Sequence, residues 1–413
     1  MGTALFLLAA AVFCLWPAAA QAQEDLRSKT QQIKQQLAEM DALKAKLAEL
    51  EGKLEESQKT QKAGTSTVTT CFKGVKAGID GRIFLGAFKS GSQGPDPNWS
   101  TDIPDAKLRF TFNPSNRITV VNRLSTSGAR SADFDYFYLD YAGIPNPASV
   151  LRLGQRKIDF GQETWTDNPI ENILISNSVS HISGYATGIA IRGKLSNVER
   201  SPVYEIGVVN GAKGQMARQS SGLQTNVKLG TPLPGNLFVS ASYFDTGTLK
   251  GTDKAGLSIA EINDAPSGAT EWKRTLWELD LRYNYGLAGI RSMVPSRSIP
   301  SVMVGATWGK FSDSASGAAD RDGRFWFIEG LYNLTSRLYA AGRRSTAKLD
   351  GGALARLSKS PVDVNSYCRT SIGLGYRLTN LTDLKTEYTT NDTSGGPSEP
   401  SLNQWAIGIA AKF

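Results

Sequence analysis

Seven basic side chains alternate with apolar neighbours in a way that gives each a defined face: Lys107, Arg109, Arg123, Arg152, Arg156, Arg192 and Lys194. Strand side chains point to opposite faces in turn, so Lys107 and Arg109 lie opposite Leu108, Phe110 and Phe112. Arg123 likewise opposes Ile118, Val120 and Leu124, Arg152 and Arg156 sit among Leu151 and Leu153, and Arg192 and Lys194 oppose Ile189, Ile191 and Leu195. Rows of guanidinium and ammonium groups facing a wet interior select anions. Inward carboxylates follow on later segments, at Glu205, Glu278, Asp280, Glu329, Asp383 and Glu387, while Asp167 and Glu171 stand on a long connection. A basic wall facing an acidic loop would set up a transverse field. Other chemistry is poorly supplied. The chain has one histidine, His181, and no G-x-S-x-G motif accompanies it, which argues against zinc chemistry and His-dependent nucleophilic catalysis. No catalytic residue, metal site or cofactor is expected.

The elements that would position these residues are short alternating segments. Candidate strands begin near Val75, Ala106, Arg117, Asp133, Ser149, Tyr185, Val203, Leu223, Asn236, Thr275, Ser301, Arg324, Arg337, Asn365, Thr382 and Asn403. Tight turns rich in Pro, Gly and Asn, such as "NPSN", "IPNP" and "TPLPGN", alternate with long polar connections such as "GQETWTDNPIENILISNSVSHISG" and "GTLKGTDKAGLSIAEINDAPSGATEW". That asymmetry belongs to a barrel with short periplasmic turns and long extracellular loops. The connection "GLAGIRSMVPSRSIP" is long for a turn. The last segment, "NQWAIGIAAKF", puts Trp405, Ile407, Ile409, Ala411 and Phe413 on one face, as a closing strand against lipid would. Beyond Ala22 no apolar run approaches the roughly 20 residues of a membrane helix, so a closed barrel is the available spanning structure.

The N-terminal part reads differently. Residues 1–22 end in an A-x-A pattern after an apolar run and are expected to be a signal peptide. In residues 23–62, Leu26, Ile33, Met40, Leu47 and Leu54 recur every seven positions, the signature of a coiled coil, with a stammer near Met40. A linker over 63–73 leads to a barrel domain over 74–413. The expected fold class is therefore all-β: a 16-stranded antiparallel transmembrane β-barrel with an N-terminal α-helical coiled coil. The coiled-coil segment balances its charges, so the net charge of +8 belongs to the rest of the chain. Cys71 and Cys368 are expected at opposite rims, unpaired, because a disulfide needs α-carbons within about 7 Å.

The run "LRLGQRKIDFG" followed by "QETWTDN" resembles the strand and constriction loop of phosphate-selective-type porins, and "DFDYFYLDY" and "SRLYAAGR" are similar to segments of that superfamily. A coiled coil ahead of sixteen strands resembles the DcaP-like trimeric porins more specifically. The resemblance implies a homotrimer in the outer membrane, with the coiled coil in the periplasm, that passes dicarboxylates or other small anions. Lipid and small anionic solutes are the expected partners, and nucleic acid is not. Selectivity would rest on Arg109, Arg123, Arg156 and Arg192, with Asp167 and Glu171 on the constriction loop. A barrel that serves only to anchor an adhesion or envelope-tethering protein is the competing reading.

Overall fold

The computed structural model describes residues 76–90, 98–126, 133–198, 200–211, 222–284, 302–358, 360, 362–396 and 403–413. The expected signal peptide, coiled coil, linker and Cys71 lie outside the described residues, as does the connection over 285–301.

The strands are β1 (Lys76–Ser90), β2 (Ser100–Asn113), β3 (Ile118–Ser125), β4 (Asp133–Ala142), β5 (Ser149–Lys157), β6 (Ile182–Ser183), β7 (Tyr185–Lys194), β8 (Val203–Asn210), β9 (Leu223–Leu233) and β10 (Leu237–Asp245). They continue as β11 (Leu249–Lys250), β12 (Ser258–Ile259), β13 (Glu271–Tyr283), β14 (Val302–Ser316), β15 (Arg321–Asn333), β16 (Leu338–Leu349), β17 (Ser366–Thr379), β18 (Thr382–Ser394) and β19 (Gln404–Lys412). With the two-residue strands β6, β11 and β12 set aside, sixteen long strands pair antiparallel in sequence order. The sheet closes where β19 pairs with β1, in the register Arg82 to Lys412. Phe413 completes the seam: its N–H donates to Gly81 O at 3.0 Å and its carbonyl accepts from Gly81 N at 2.9 Å. Closure removes both sheet edges, which no open sheet in lipid could leave unpaired.

The pleat sorts the side chains. Outward positions carry large exposed apolar groups, among them Leu85, Phe137, Ile189, Ile206, Leu229, Leu279, Trp308, Ile328, Ile372, Trp405 and Ile407. Inward positions on the same strands carry charge. Glu205, Glu278, Asp280, Glu329, Asp383 and Glu387 are all buried inside. An outer face this apolar suits hydrocarbon, where a charged group at the midplane would cost about 2–4 kcal/mol.

Three strands start earlier than their sequence pattern suggests, the smallest shift being that of β15, at Arg321 rather than near Arg324. β2 begins at Ser100 rather than near Ala106, and β13 at Glu271 rather than near Thr275. The added residues of β2 are mostly polar, and on β13 the polar Glu271 and Lys273 point outward while Trp272 is buried inward, so neither start shows the apolar-outward pattern of the belt. Pro104 also lies within β2 and cannot donate to a ladder; the sheet absorbs it at a register shift between Phe84 and Gly86 of β1.

The long polar connections do not all stay outside. The β10–β13 connection turns inward, and its Ile259 pairs with Ile182 of the β5–β7 connection. Ala255, Leu257, Ile259 and Ile262 pack with Ile158, Phe160, Phe244, Trp272 and Leu357 in one apolar cluster. This cluster fills part of the barrel interior near the loop rim. Cys368, at the loop end of β17, is a free thiol.

Candidate functional site

The β5–β7 connection, residues 158–184, is the element on which the interior is organised. It leaves β5 at Asp159, which accepts from Lys228 Nζ of β9 at 2.7 Å. Gly161 then turns the chain with φ of +60°, against the Glu278 carboxylate of β13, where an added Cβ would collide. Only glycine tolerates both the left-handed backbone and that approach. Gly161 N–H donates to Ser242 Oγ at 2.9 Å, and Gln162 Nε2 to Ser240 Oγ at 3.0 Å, tying this part to β10. A short helix, α1 (Glu163–Thr166), follows.

Beyond α1 the connection reaches a different part of the wall. Lys385 of β18 donates to Pro169 O at 2.5 Å, and Arg343 of β16 donates to Asn172 Oδ1 at 2.9 Å and Ser176 O at 2.7 Å. Glu387 of β18 accepts from the N–H groups of Ile175 at 2.5 Å and Ser176 at 2.9 Å. Ile170 packs against Phe84 and Ala410 at the β1–β19 seam. The connection therefore crosses the lumen from the β8–β13 side to the β16–β19 side. The cross-lumen course is the geometry of a constriction loop.

What stays open is a cavity of about 1040 Å³ bounded by β1–β5 and β7. Asn113, Arg117, Ala142, Ala148 and Asn197 border it at the short-turn rim, and Thr164, Asp167, Asn168 and Glu171 of the crossing loop border it from within. Its cations are Arg82, Lys107, Arg109, Arg117, Arg123, Arg152, Lys157, Arg192, Lys194 and Lys412, against the carboxylates of Asp80, Asp140, Asp167 and Glu171. Ten positive groups thus face four negative ones. Asp105, Asp135, Asp159 and Glu205 pair with lining cations from behind, which still leaves ten against eight.

The cations are held, and held differently. Arg152 grips Asp140 through two bonds of 2.7 Å and lies over the Tyr138 ring at 3.8 Å. Arg123 meets Asp135 at 3.0 Å, donates to the Tyr185 hydroxyl at 2.7 Å and covers the Tyr136 ring at 4.1 Å. Planar guanidinium groups stacked on tyrosine stay charged and oriented. Arg109 contacts Asp80 at 2.6 Å with about a third of each side chain exposed. Lys107 bridges Asp105 and Asp135. On the loop side, Lys157 meets Asp167 at 2.5 Å, and His181 Nε2 lies 3.7 Å from the same carboxylate. Burial pushes the Asp167 carboxyl up, but Lys157, His181 and Arg82 outweigh it and hold it well below the usual carboxylate range.

Of the residues singled out by sequence, Lys107, Arg109, Arg123, Arg152, Arg192, Lys194, Asp167 and Glu171 all border this one cavity. Arg156 does not. Its side chain points inward as the pleat requires, but it is fully buried, donating to Glu205 at 2.5 Å and Asn226 Oδ1 at 2.9 Å. The guanidinium lies over Gly207, where a Cβ would collide with it. The face was legible, while the cover that takes Arg156 out of solvent comes from distant parts of the chain. Arg192 is an intermediate case, bordering the cavity yet only 4% exposed between Asp159 and Glu205. Sequence reasoning missed Arg82, Arg117, Lys157 and Lys412 as cavity residues, and it noticed the tyrosines of "DFDYFYLDY" without giving them a role. Arg117, Lys157 and Lys412 lie at strand ends, where alternation fades, whereas Arg82 lies in the middle of β1; Tyr136 and Tyr138 alternate with Phe137 and Leu139 and share the inner face with Asp140.

No family model matches the chain, and no curated protein does. Solved structures do match. OmpT of Vibrio cholerae, an outer membrane protein, aligns at a TM-score of 0.55 and 10% identity, covering 84% of this chain and 100% of that one. The outer membrane channel DcaP of Acinetobacter baumannii aligns at 0.54 and 13% identity over 83% and 99%. An anion-selective porin from Comamonas acidovorans aligns at 0.55 and 10% identity over 82% and 100%. The fold is that of the outer-membrane porins. The chain resembles DcaP-like porins in this sense, and at such identities the likeness is one of architecture.

Proposed function

We propose that the chain is an outer-membrane diffusion channel that prefers small anionic solutes and is not an enzyme. The observation that carries this reading is the cavity in which ten cations face four carboxylates, narrowed by a loop crossing the lumen. A low-dielectric wall concentrates that field in the aqueous path, raising the local concentration of anions and lowering that of cations. The guanidinium groups of Arg123 and Arg152, fixed by carboxylate and tyrosine partners, would offer a passing carboxylate or phosphate oriented donors at little entropic cost. Dicarboxylates and phosphate-like anions fit this chemistry. In this reading the cavity cations Lys107, Arg109, Arg123, Arg152, Arg192 and Lys194 contact the solute, Asp167 and Glu171 set the opposite side of the field, and Arg156 braces the wall.

The outer membrane follows from the apolar exterior and from the company of the similar folds. The protein is read as a homotrimer on its resemblance to the DcaP-like trimeric porins, with residues 23–62 as a periplasmic coiled coil on the heptad pattern. Planar-bilayer recording of the full chain tests the channel. A salt gradient should give a reversal potential on the anion side, and an open conductance that stays near zero would leave the barrel as an anchor and sink the reading. The peptide Gln23–Lys62 should associate into helices; a monomeric, unfolded peptide at high concentration would remove the coiled coil.

A further inference from the structure

The outward face of the barrel carries one arrangement of charge that the channel does not use. Lys310 of β14 stands directly opposite Arg324 of β15, and Arg324 directly opposite Lys348 of β16. All three are outward positions, because they alternate with buried inward residues: Gly309 excepted for size, these are Phe311 beside Lys310, Phe325 beside Arg324, and Ala347 and Leu349 flanking Lys348. Directly opposed residues on one face have Cβ atoms about 4.5–5.5 Å apart, and like charges so placed destabilise the sheet. Arg344, a further outward cation on β16 between buried Arg343 and Ser345, stands opposite Ile328, four residues from Lys348, and is not part of this row.

The position of this row is informative. Trp308 and Trp326 lie opposite each other two residues nearer the turn rim, both exposed, and Trp277 packs edge-on against Trp308 at 4.6 Å. Outward aromatics of this kind mark the boundary between hydrocarbon and headgroups. Two residues span about 6–7 Å of strand, so the cations sit at headgroup height on the long-loop side. The nearby carboxylates do not neutralise them. Asp350 pairs with Arg324 at 2.9 Å, and Asp322 lies one outward position beyond Arg324. Three cations therefore face two carboxylates. Among the described residues, no carboxylate pairs with Lys310, Arg344 or Lys348.

We infer that Lys310, Arg324 and Lys348 form a docking site for the phosphorylated headgroup of an outer-leaflet glycolipid. A phosphate carries the charge that relieves the repulsion, and its acyl chains would run down the wall past Trp308, Trp326 and Ile328. Clustered basic residues at a membrane boundary recognise anionic lipid in this way. The inference rests on the outer-membrane reading, which sets the long loops outward.

The test is binding of diphosphoryl lipid A to the detergent-solubilised full chain, beside the triple variant Lys310→Gln, Arg324→Gln, Lys348→Gln. The triple variant should bind roughly a hundredfold more weakly. The charge-keeping triple Lys310→Arg, Arg324→Lys, Lys348→Arg should bind within a few-fold of the parent, and so should Lys273→Gln, which removes an outward cation already paired with Asp245 at 2.9 Å. Heat-resistant folded migration on gels confirms that each variant is intact. Equal lipid binding by the parent and the glutamine triple would overturn the inference. So would equally effective displacement by inorganic phosphate, which would remove the lipid from the assignment. A change of oligomeric state in the triple, with lipid binding retained, would make the face a subunit contact instead. Bilayer conductance of the same preparations keeps the two readings apart: a parent that conducts but binds no lipid A defeats only the docking site, and one that binds but never conducts defeats only the channel.

Discussion

Arg109 on β2 and Arg343 on β16 both point inward beside a carboxylate, yet Arg109 keeps 31% of its side chain exposed against Asp80 while Arg343 keeps 2% against Glu329. The two belong to two halves of the wall. Along β1–β7 most inward charges border water; along β8–β18 they lie beneath the crossing loop and the apolar cluster, as Arg274, Arg282 and Arg343 do, and Arg156 at the end of β5 is the exception that is covered with them. Residue type does not separate the halves. The cover does, and it turns one set of arginines into a solute path and the other into fasteners for the loop. A solvated pair at the first kind of site contributes about 0–1 kcal/mol. Removing one partner of a buried pair costs about 3–5 kcal/mol, because the other charge is left in a dry environment.

The largest test of this contrast is Arg343→Met. It removes the 2.6 Å partner of Glu329, leaving Arg282 at 4.0 Å, and frees Asn172 and Ser176 of the loop, so denaturant unfolding should show a loss of about 3–5 kcal/mol and bilayer currents should become noisy as the loop detaches. A loss under about 1 kcal/mol would erase the distinction between the halves. Next comes Gly207→Ala, which pushes into the Arg156 guanidinium and should cost about 1–3 kcal/mol as an overpacked interior does. Its conductance selectivity should stay unchanged, since Arg156 does not border the cavity.

Smaller in stability but decisive for function is the triple Arg109→Gln, Arg117→Gln, Arg123→Gln on the open side. The anion-to-cation permeability ratio from reversal potentials should fall several-fold while the folded state survives. An unchanged ratio would show that the cavity is not the path.

The smallest effect expected is the acid response of Asp167. Its pKa is depressed in the folded protein, so the stabilisation it provides is fully present above the unfolded carboxyl pKa of about 3.9 and is lost as pH falls through the folded value. Loop-dependent conductance should therefore be flat from pH 8 to about 5 and change only in stronger acid, and Asp167→Asn should remove that acid step. A transition that appears well above pH 5 would overturn this assignment.

Much of this arrangement was readable in the chain. Thirteen of the sixteen strand starts fall within one residue of their expected places, because alternation of apolar and polar residues is what lipid outside and water inside impose on a strand. The inward faces of Arg109, Arg152 and Glu387 follow from the same rule. Where the outward residues are polar, as Glu271 and Lys273 are at the start of β13, the apolar-outward signal is missing and the boundaries moved. The β10–β13 connection reads as a polar loop, yet its Leu257, Ile259 and Ile262 are spaced among polar residues and become a core only when Ile158, Phe160 and Trp272 meet them.

By itself, then, the sequence determined which residues face lipid and which face inward, because a period of two is local and a charged group on the wrong face is costly. It also determined that one long connection carries Asp167 and Glu171. Only the tertiary structure decided which inward charges touch water. That outcome depends on where a loop over 158–184 lands, on Lys385, Glu387 and Arg343 more than 150 residues away in the chain. Burial is a property of what covers a side chain, and no local pattern encodes a cover assembled from the far side of a barrel.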